Sequence, residues 1–384
     1  MRAPDVIVVG GGINGMMSAR ELALSGCRVT LVERGHCARE ASWAGGGILT
    51  PLYPWRYGEA VTRLDALAFP LWPALADSLA EETGIDPELS LHGVLHAGVE
   101  DPACAQAWRD RHATGLVTCT PQALAARFGR LAIPPGPAFW LPARGSIRTP
   151  ALGRALRQWL LDCPQVTLLE QCEVCAIETE RGRVTGVRSA DEIFAAPKVV
   201  IAGGPWSHRL LATAGASSPI APVRGQMLLF ETDGTLLDSV VLMKGFYLIP
   251  RRDGRLLAGS TFETVGFDRS TTREGREKIH RQARVMLPAL AGAPVTHHWA
   301  GLRPGSPASV PRVGAVAGID GLYLNAGHGG NGVALAPATA ELLAALLLGR
   351  AAALDAAPYA PTPASPASIQ AAGQSALLFK QRPV

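Results

Sequence analysis

Charged and aromatic side chains are scarce in this chain of 384 residues, at 18% and 6%. With 36 Lys and Arg against 32 Asp and Glu, the net charge is +4. No long basic block gathers that charge, so nucleic acid is not an expected partner. No apolar run reaches the roughly 20 residues of a membrane span. The most hydrophobic stretch, 333–348, is interrupted by Pro337 and Glu341 and reads as a buried helix, so no integral membrane segment is expected. A signal peptide is not expected either, because the first apolar run, Val6–Val9, is too short. The cysteines number seven and are scattered, which gives no disulfide framework and makes the cytoplasm the expected location. Cys172 and Cys175 form a single C-x-x-C in a stretch that reads as a strand, and no metal site is expected.

Glycine is plentiful, with 42 residues, and its placement is the strongest signal. Val6–Val9 ends at Gly10-Gly11-Gly12, a helical pattern follows with Gly15 in its first turn, and Val29–Val32 ends at Glu33. This is the Gly-x-Gly-x-x-Gly fingerprint of a dinucleotide-binding strand–turn–helix–strand unit. Gly10 serves the tight turn, Gly12 the approach of backbone to a pyrophosphate, and Gly15 close helix–strand packing. The helix N-terminus offers N–H groups to phosphate, and Glu33 falls where a carboxylate accepts from ribose hydroxyls. Further glycine clusters stand at Gly45-Gly46-Gly47, at Gly203-Gly204 after Lys198 and the apolar Val199–Ala202, and at Gly327-His328-Gly329-Gly330-Asn331-Gly332 after Gly321–Ala326.

Between these clusters, leucine spacing predicts a helix over 60–82, and Leu91–Val99 alternates like a strand. Helices are expected over 121–130, with Thr120 as N-cap, and from 150 to about 161, with Thr149 as N-cap and Pro150 at the first position. Strands are expected over 166–169, 172–178, 184–189, 225–230, 240–243, 246–249, 256–261 and 296–302. Arg252-Asp253-Gly254 marks a hairpin turn, 273–287 reads as a helix, and 350–375 is Ala/Pro/Ser-rich and reads as a tail. The expected fold is α/β: a discontinuous Rossmann-type FAD-binding domain (1–85, 145–220 and 310–350) with an inserted antiparallel-sheet substrate domain of α+β character (86–144 and 221–309), then a tail (351–384).

The order Gly10-x-Gly12-x-x-Gly15 … Glu33, Ala41-Ser42-Trp43-Ala44-Gly45-Gly46-Gly47-Ile48-Leu49, Val200–Trp206, Gly301-Leu302-Arg303-Pro304-Gly305 and Gly327–Pro337 resembles the D-amino-acid oxidase family of flavoproteins, and within it the bacterial glycine oxidase branch. The resemblance covers about residues 5–345. It implies noncovalent FAD, since no Cys or His stands where relatives attach the flavin. The implied cofactor contacts are Gly10, Gly12, Ile13, Asn14, Gly15, Glu33, Arg34, Ala41, Ser42, Gly46, Gly47, Ile48, Val174, Gly203, Trp206, His328, Gly329, Gly330, Asn331, Gly332, Val333 and Ala334. Arg303, taken to follow its strand, matches the arginine that binds the substrate carboxylate. Tyr247 matches the tyrosine that joins it, and Phe262 stands where a methionine lines the glycine pocket.

The activity this implies is oxidative deamination of glycine or another small amine. Hydride passes from the substrate Cα to flavin N5, giving an imine that hydrolyses to a 2-oxo acid and ammonia. Reoxidation by O2 gives hydrogen peroxide, and the implied role is in thiazole assembly for thiamine. A homo-oligomer fits the resemblance. Gly330 departs from it, standing where the glycine oxidase pattern has a second arginine. Sarcosine, D-amino acids and proline-type amines therefore stay open as substrates. So do a dehydrogenase that feeds quinones and a flavin-binding accessory subunit. His297 and His298 alternate on one strand and read as core or surface rather than catalytic.

Overall fold

A computed structural model describes residues 3–374. A six-stranded sheet runs in the order Arg312–Ala315, Leu322–Ala326, Val199–Ile201, Val6–Val9, Val29–Val32, Val166–Leu169. All neighbours are parallel except the first pair. A strand buried on both faces needs apolar residues at every position, which is why Val6–Val9 reads as a continuous run. Val6 and Val8 point into a core shared with Met16, Leu22 and Leu343. Ile7 and Val9 point the other way, into a core with Ile177, Val184 and Val187. The first core belongs to the helix layer (Ile13–Leu24, Thr149–Asp162, Ala336–Leu348). The second lies under a small antiparallel sheet of Ala176–Glu180, Arg183–Arg188 and Ile193–Ala195.

A second, eight-stranded sheet has the order Val295–Gly305, Ala221–Phe230, Leu256–Gly259, Phe246–Pro250, Val240–Met243, Val94–Ala97, Phe139–Leu141, Val117–Thr118. It is antiparallel apart from the pairing of Val240–Met243 with Val94–Ala97. Alternation divides its faces. Leu228, Phe230 and Leu248 pack with Ile279 and Ala283 of helix Arg273–Met286, while Met227, Tyr247 and Ile249 face the nucleotide-type half. The fold is therefore α/β, a discontinuous Rossmann-type half with an inserted sheet half.

Several local expectations are corrected. Thr149 is the first residue of its helix and Arg148 the N-cap; the Thr149 hydroxyl instead donates to Gly45 O at 2.8 Å. Strand Val295–Gly305 does not stop at 302, so Arg303 and Pro304 lie within it, opposite Val223 and Pro222. Edge position explains this, since a proline is tolerated where its missing N–H is not needed by a neighbour. Cys172–Cys175 is loop, and its strand begins at Ala176. The last glycine turn closes as a short 3-10 turn, Gly329–Asn331, with the long helix starting only at Ala336. The segment read as a tail packs back on the body: Tyr359 is buried and donates to Ala60 O, and Ala372 is buried beside Gly305. Its last ten residues, 375–384, lie outside the described part. No helix among the described residues is long and apolar enough to cross a membrane.

Candidate active site

A cavity of about 440 Å³ runs from the C-terminal ends of the parallel strands to the inner face of the eight-stranded sheet. Crevices at strand C-termini are where open α/β sheets bind ligands. At the nucleotide end, Gly10 holds φ +114, and a Cβ there would lie 2.6 Å from Ala202 O. Glu33 accepts from Gly11 N at 2.7 Å and Gly35 N at 2.9 Å, so its carboxylate fixes the turn while it lines the cavity. Ser42 Oγ accepts the first helical N–H, from Ile13, at 2.9 Å. The N–H groups of Gly12 and Asn14 have no acceptor among the described residues. Free donors at a helix start, beside Arg34 and Arg39 on the same wall, suit a diphosphate. Arg34 stacks on Trp206 at 3.9 Å.

The middle of the cavity is walled by two glycine segments. Asn14 Nδ2 donates to Gly332 O at 3.1 Å, tying the first glycine turn to the last across 318 residues. His328 lines this part fully buried, within 3.2 Å of Thr339 Oγ1. Burial pushes its pKa down to about 3, so it is neutral. Opposite, Gly45-Gly46-Gly47 turns its carbonyls away: Gly45 O accepts from Thr149, Gly46 O from Arg251 and Gly47 O from Ile147 N. The N–H groups of Gly46, Gly47 and Ile48 have no acceptor among the described residues. This donor-lined slot fits the polar edge of a flat ring.

At the far end, Arg303 Nη2 donates to Ser260 Oγ at 2.7 Å and Nη1 to Thr261 O at 3.2 Å. Its guanidinium lies 4.3 Å over the Phe262 ring. The space it fills is vacated by Gly225 on the neighbouring strand, where a Cβ would collide with it. Tyr247 is buried, and its hydroxyl lies 3.4 Å from Met227 Sδ, a weak acceptor, which leaves that donor free for a stronger partner. Gly330 faces open space, with nothing within 4 Å of a Cβ built on it.

Of the residues singled out in the sequence, Arg303, Tyr247, Phe262, Gly10, Gly12, Ile13, Asn14, Glu33, Arg34, Ala41, Ser42, Gly46, Gly47, Ile48, Val174, Gly203, Trp206, His328, Gly329, Gly330, Gly332 and Val333 line this cavity. Gly15, Asn331 and Ala334 do not. Gly15 presses on the Gly10 carbonyl, Asn331 Oδ1 accepts from Tyr57, and Ala334 O accepts from Trp72. The sequence reading missed Gly225, Ser260, Thr261 and Arg251, which act on the site through contacts made far along the chain. A Gly inside a strand, as at 225 in Ala221–Phe230, was the one available signal. Among the described residues no cluster of His, Cys, Asp or Glu could hold a metal, and all seven cysteines are free thiols.

A family model and three known proteins resemble this chain. The family model described as DAO, FAD dependent oxidoreductase, matches residues 5–346. A glycine oxidase of Pseudomonas aeruginosa is 45% identical, over 93% of this chain and 98% of its own length. A glycine oxidase of Pseudomonas putida is 43% identical over the same shares. The crystal structure of glycine oxidase from Geobacillus kaustophilus superposes with a TM-score of 0.89 at 30% identity, covering 94% of this chain and 99% of that one.

Proposed function

The chain belongs to the DAO family of FAD-dependent oxidoreductases, and from that premise we propose that it is an amino-acid oxidase acting on glycine or a closely related small amine. Its cofactor is FAD. The donor-lined cavity is the observation that fits the group: free N–H groups at the start of helix Ile13–Leu24 for the diphosphate, Glu33 for the ribose, and the Gly46–Ile48 N–H groups for the ring edge. The bound flavin supplies the chemistry, accepting a hydride from the substrate Cα and returning the electrons to an acceptor.

The single observation that carries the substrate assignment is Arg303 laid flat over Gly225, beside Tyr247. A guanidinium with donors to spare pairs with a carboxylate in a two-pronged way, and the Tyr247 hydroxyl adds a third donor. Held at its carboxylate, an amino acid presents its Cα to the middle of the cavity, a positioning effect. Phe262, Met227 and Tyr247 give that end of the cavity an apolar lining. The amine must be neutral to release a hydride equivalent, and among the described residues no carboxylate lines the substrate end to hold it charged. His328, buried and neutral, is not needed as a base.

Gly330 leaves open the place where a second cation stands in the glycine oxidase pattern, so binding rests on Arg303 and Tyr247. We read the acceptor as O2, with hydrogen peroxide as product, and the imine as the material for thiazole assembly in thiamine synthesis. An anaerobic panel of glycine, sarcosine, D-alanine and proline, read by flavin absorbance, tests the substrate. Peroxide formation in air separates an oxidase from a quinone-dependent dehydrogenase. If no amine on the panel reduces the flavin, the oxidase reading fails.

A further inference from the structure

We propose that Arg251 is a positioning residue that holds the Gly45–Ile48 backbone with the N–H groups of Gly46, Gly47 and Ile48 toward the flavin and, through the Gly46 carbonyl, raises the electron affinity of that ring. The inference rests on the reading above that the Gly46–Ile48 wall faces the ring.

Arg251 reaches this wall from the end of strand Phe246–Pro250. Its Nη2 donates to Gly46 O at 3.0 Å, across 205 residues of sequence, and its Nη1 to Ile147 O at 3.4 Å. Within a trans peptide, C=O and N–H point in opposite directions. Drawing the Gly46 carbonyl toward Arg251 therefore sends the Gly47 N–H the other way. Thr149 on Gly45 O and Ile147 N on Gly47 O do the same for the N–H groups of Gly46 and Ile48. Three successive donors are thus freed by three anchors, of which one is a cation.

The charge of Arg251 is not spent on a carboxylate. Glu88 and Asp253 are the acidic groups facing it, and both pair with Arg148, at 3.0 and 3.2 Å. Burial, with the Arg148 charge second, pushes the Arg251 pKa down to about 10, which still leaves a cation at neutral pH. A cation on a carbonyl polarises its peptide, so the Gly47 N–H becomes a stronger donor. It also adds a positive potential where the ring gains negative charge on reduction. A structural arginine would hold the loop equally well without that second effect, and the two roles separate by experiment.

The probe is sulfite, which adds reversibly to an electron-poor oxidised flavin. Its Kd is measured on FAD-loaded wild type, Arg251→Gln and Arg251→Lys, with retained fold checked by circular dichroism. Arg251→Gln is expected to weaken sulfite roughly tenfold, the scale of a unit charge acting over about 12 Å at an effective dielectric near 20. Arg251→Lys, which keeps the charge, is expected to stay close to wild type. A folded Arg251→Gln with wild-type sulfite affinity, or a lysine variant as weak as the glutamine one, overturns the proposal. If the glutamine variant does not hold FAD, the lysine variant carries the test alone. Its sulfite affinity should fall relative to wild type as pH rises and the buried ammonium, facing Arg148, Glu88, Asp253 and Tyr247, loses its proton; a constant ratio overturns the proposal. Wild type that binds FAD but no sulfite has a ring that is not electron-poor and overturns the proposal, whereas a protein that binds no FAD overturns the reading on which it rests.

Discussion

The guanidinium of Arg303 occupies the volume that a side chain on Gly225 would take: a Cβ at 225 would collide with both terminal nitrogens and Cζ. The two residues face each other two places off register on the same face of adjacent strands, Arg303 pairing with Val223 and Gly301 with Gly225. Gly225→Ala is therefore expected to displace Arg303 while leaving the sheet intact. A displacement near 1 Å at a positioning group costs about 100-fold, so kcat/KM for glycine should fall by that order. Wild-type kinetics in a folded Gly225→Ala would show that Arg303 has another place to lie.

Removing Arg303 itself should cost more. Arg303→Ala is expected to weaken carboxylate-bearing substrates and carboxylate inhibitors by about 2–5 kcal/mol, the scale for truncating one partner of a buried charge pair. Arg303→Lys should recover only part of that, because an ammonium does not reproduce the two-pronged geometry. Steady-state kinetics with glycine and inhibitor titrations of the flavin spectrum measure both.

Gly330→Arg restores a cation where the structure has open space. No neighbour obstructs a Cβ there, and the backbone is not in the left-handed region, so the variant should fold. It is expected to lower KM for glycine and to reduce turnover of bulkier amines, by added attraction and lost room together. A substrate profile identical to wild type would show that position 330 does not face the substrate.

Glu170 links the parallel sheet to the loop after Glu33. It accepts from Arg157 at 2.7 and 2.9 Å and from Cys37 N at 2.7 Å. The Arg157 hydrogen bonds, the largest cause, pull its pKa down to about 2. A depressed carboxylate contributes stability that is present above its unfolded value and lost as pH falls toward the folded one. Unfolding free energy should therefore drop between about pH 4.5 and 2. In Glu170→Gln that drop should shrink, with stability at neutral pH lower by at most about 3 kcal/mol. Equal acid profiles for the two proteins would contradict this role.

The nucleotide end was legible in the sequence because its signals are local. Gly10, Gly12, Gly15 and Glu33 lie within one strand–turn–helix–strand unit, and apolar periodicity located most strands and helices around it. The substrate end was legible only through resemblance, since Arg303 and Tyr247 look like ordinary strand residues. What stayed hidden depends on contacts between distant segments. Thr149 reads as an N-cap from its proline neighbour, yet its hydroxyl is drawn to Gly45 O. Pro304 reads as a strand end, yet an edge strand accommodates it opposite Pro222. Residues 350–375 read as a tail by composition, yet Tyr359 and Ala372 are buried against the body.

The central claim is that this cavity oxidises a small amino acid held by Arg303 in front of FAD. Anaerobic mixing of the FAD-loaded protein with glycine, followed through the visible flavin absorbance, tests it most directly. The account predicts bleaching in wild type that is strongly slowed or shifted to high glycine concentration in Arg303→Ala. Bleaching that is equal in the two proteins, or absent in wild type with glycine and with every other small amine tried, would contradict it.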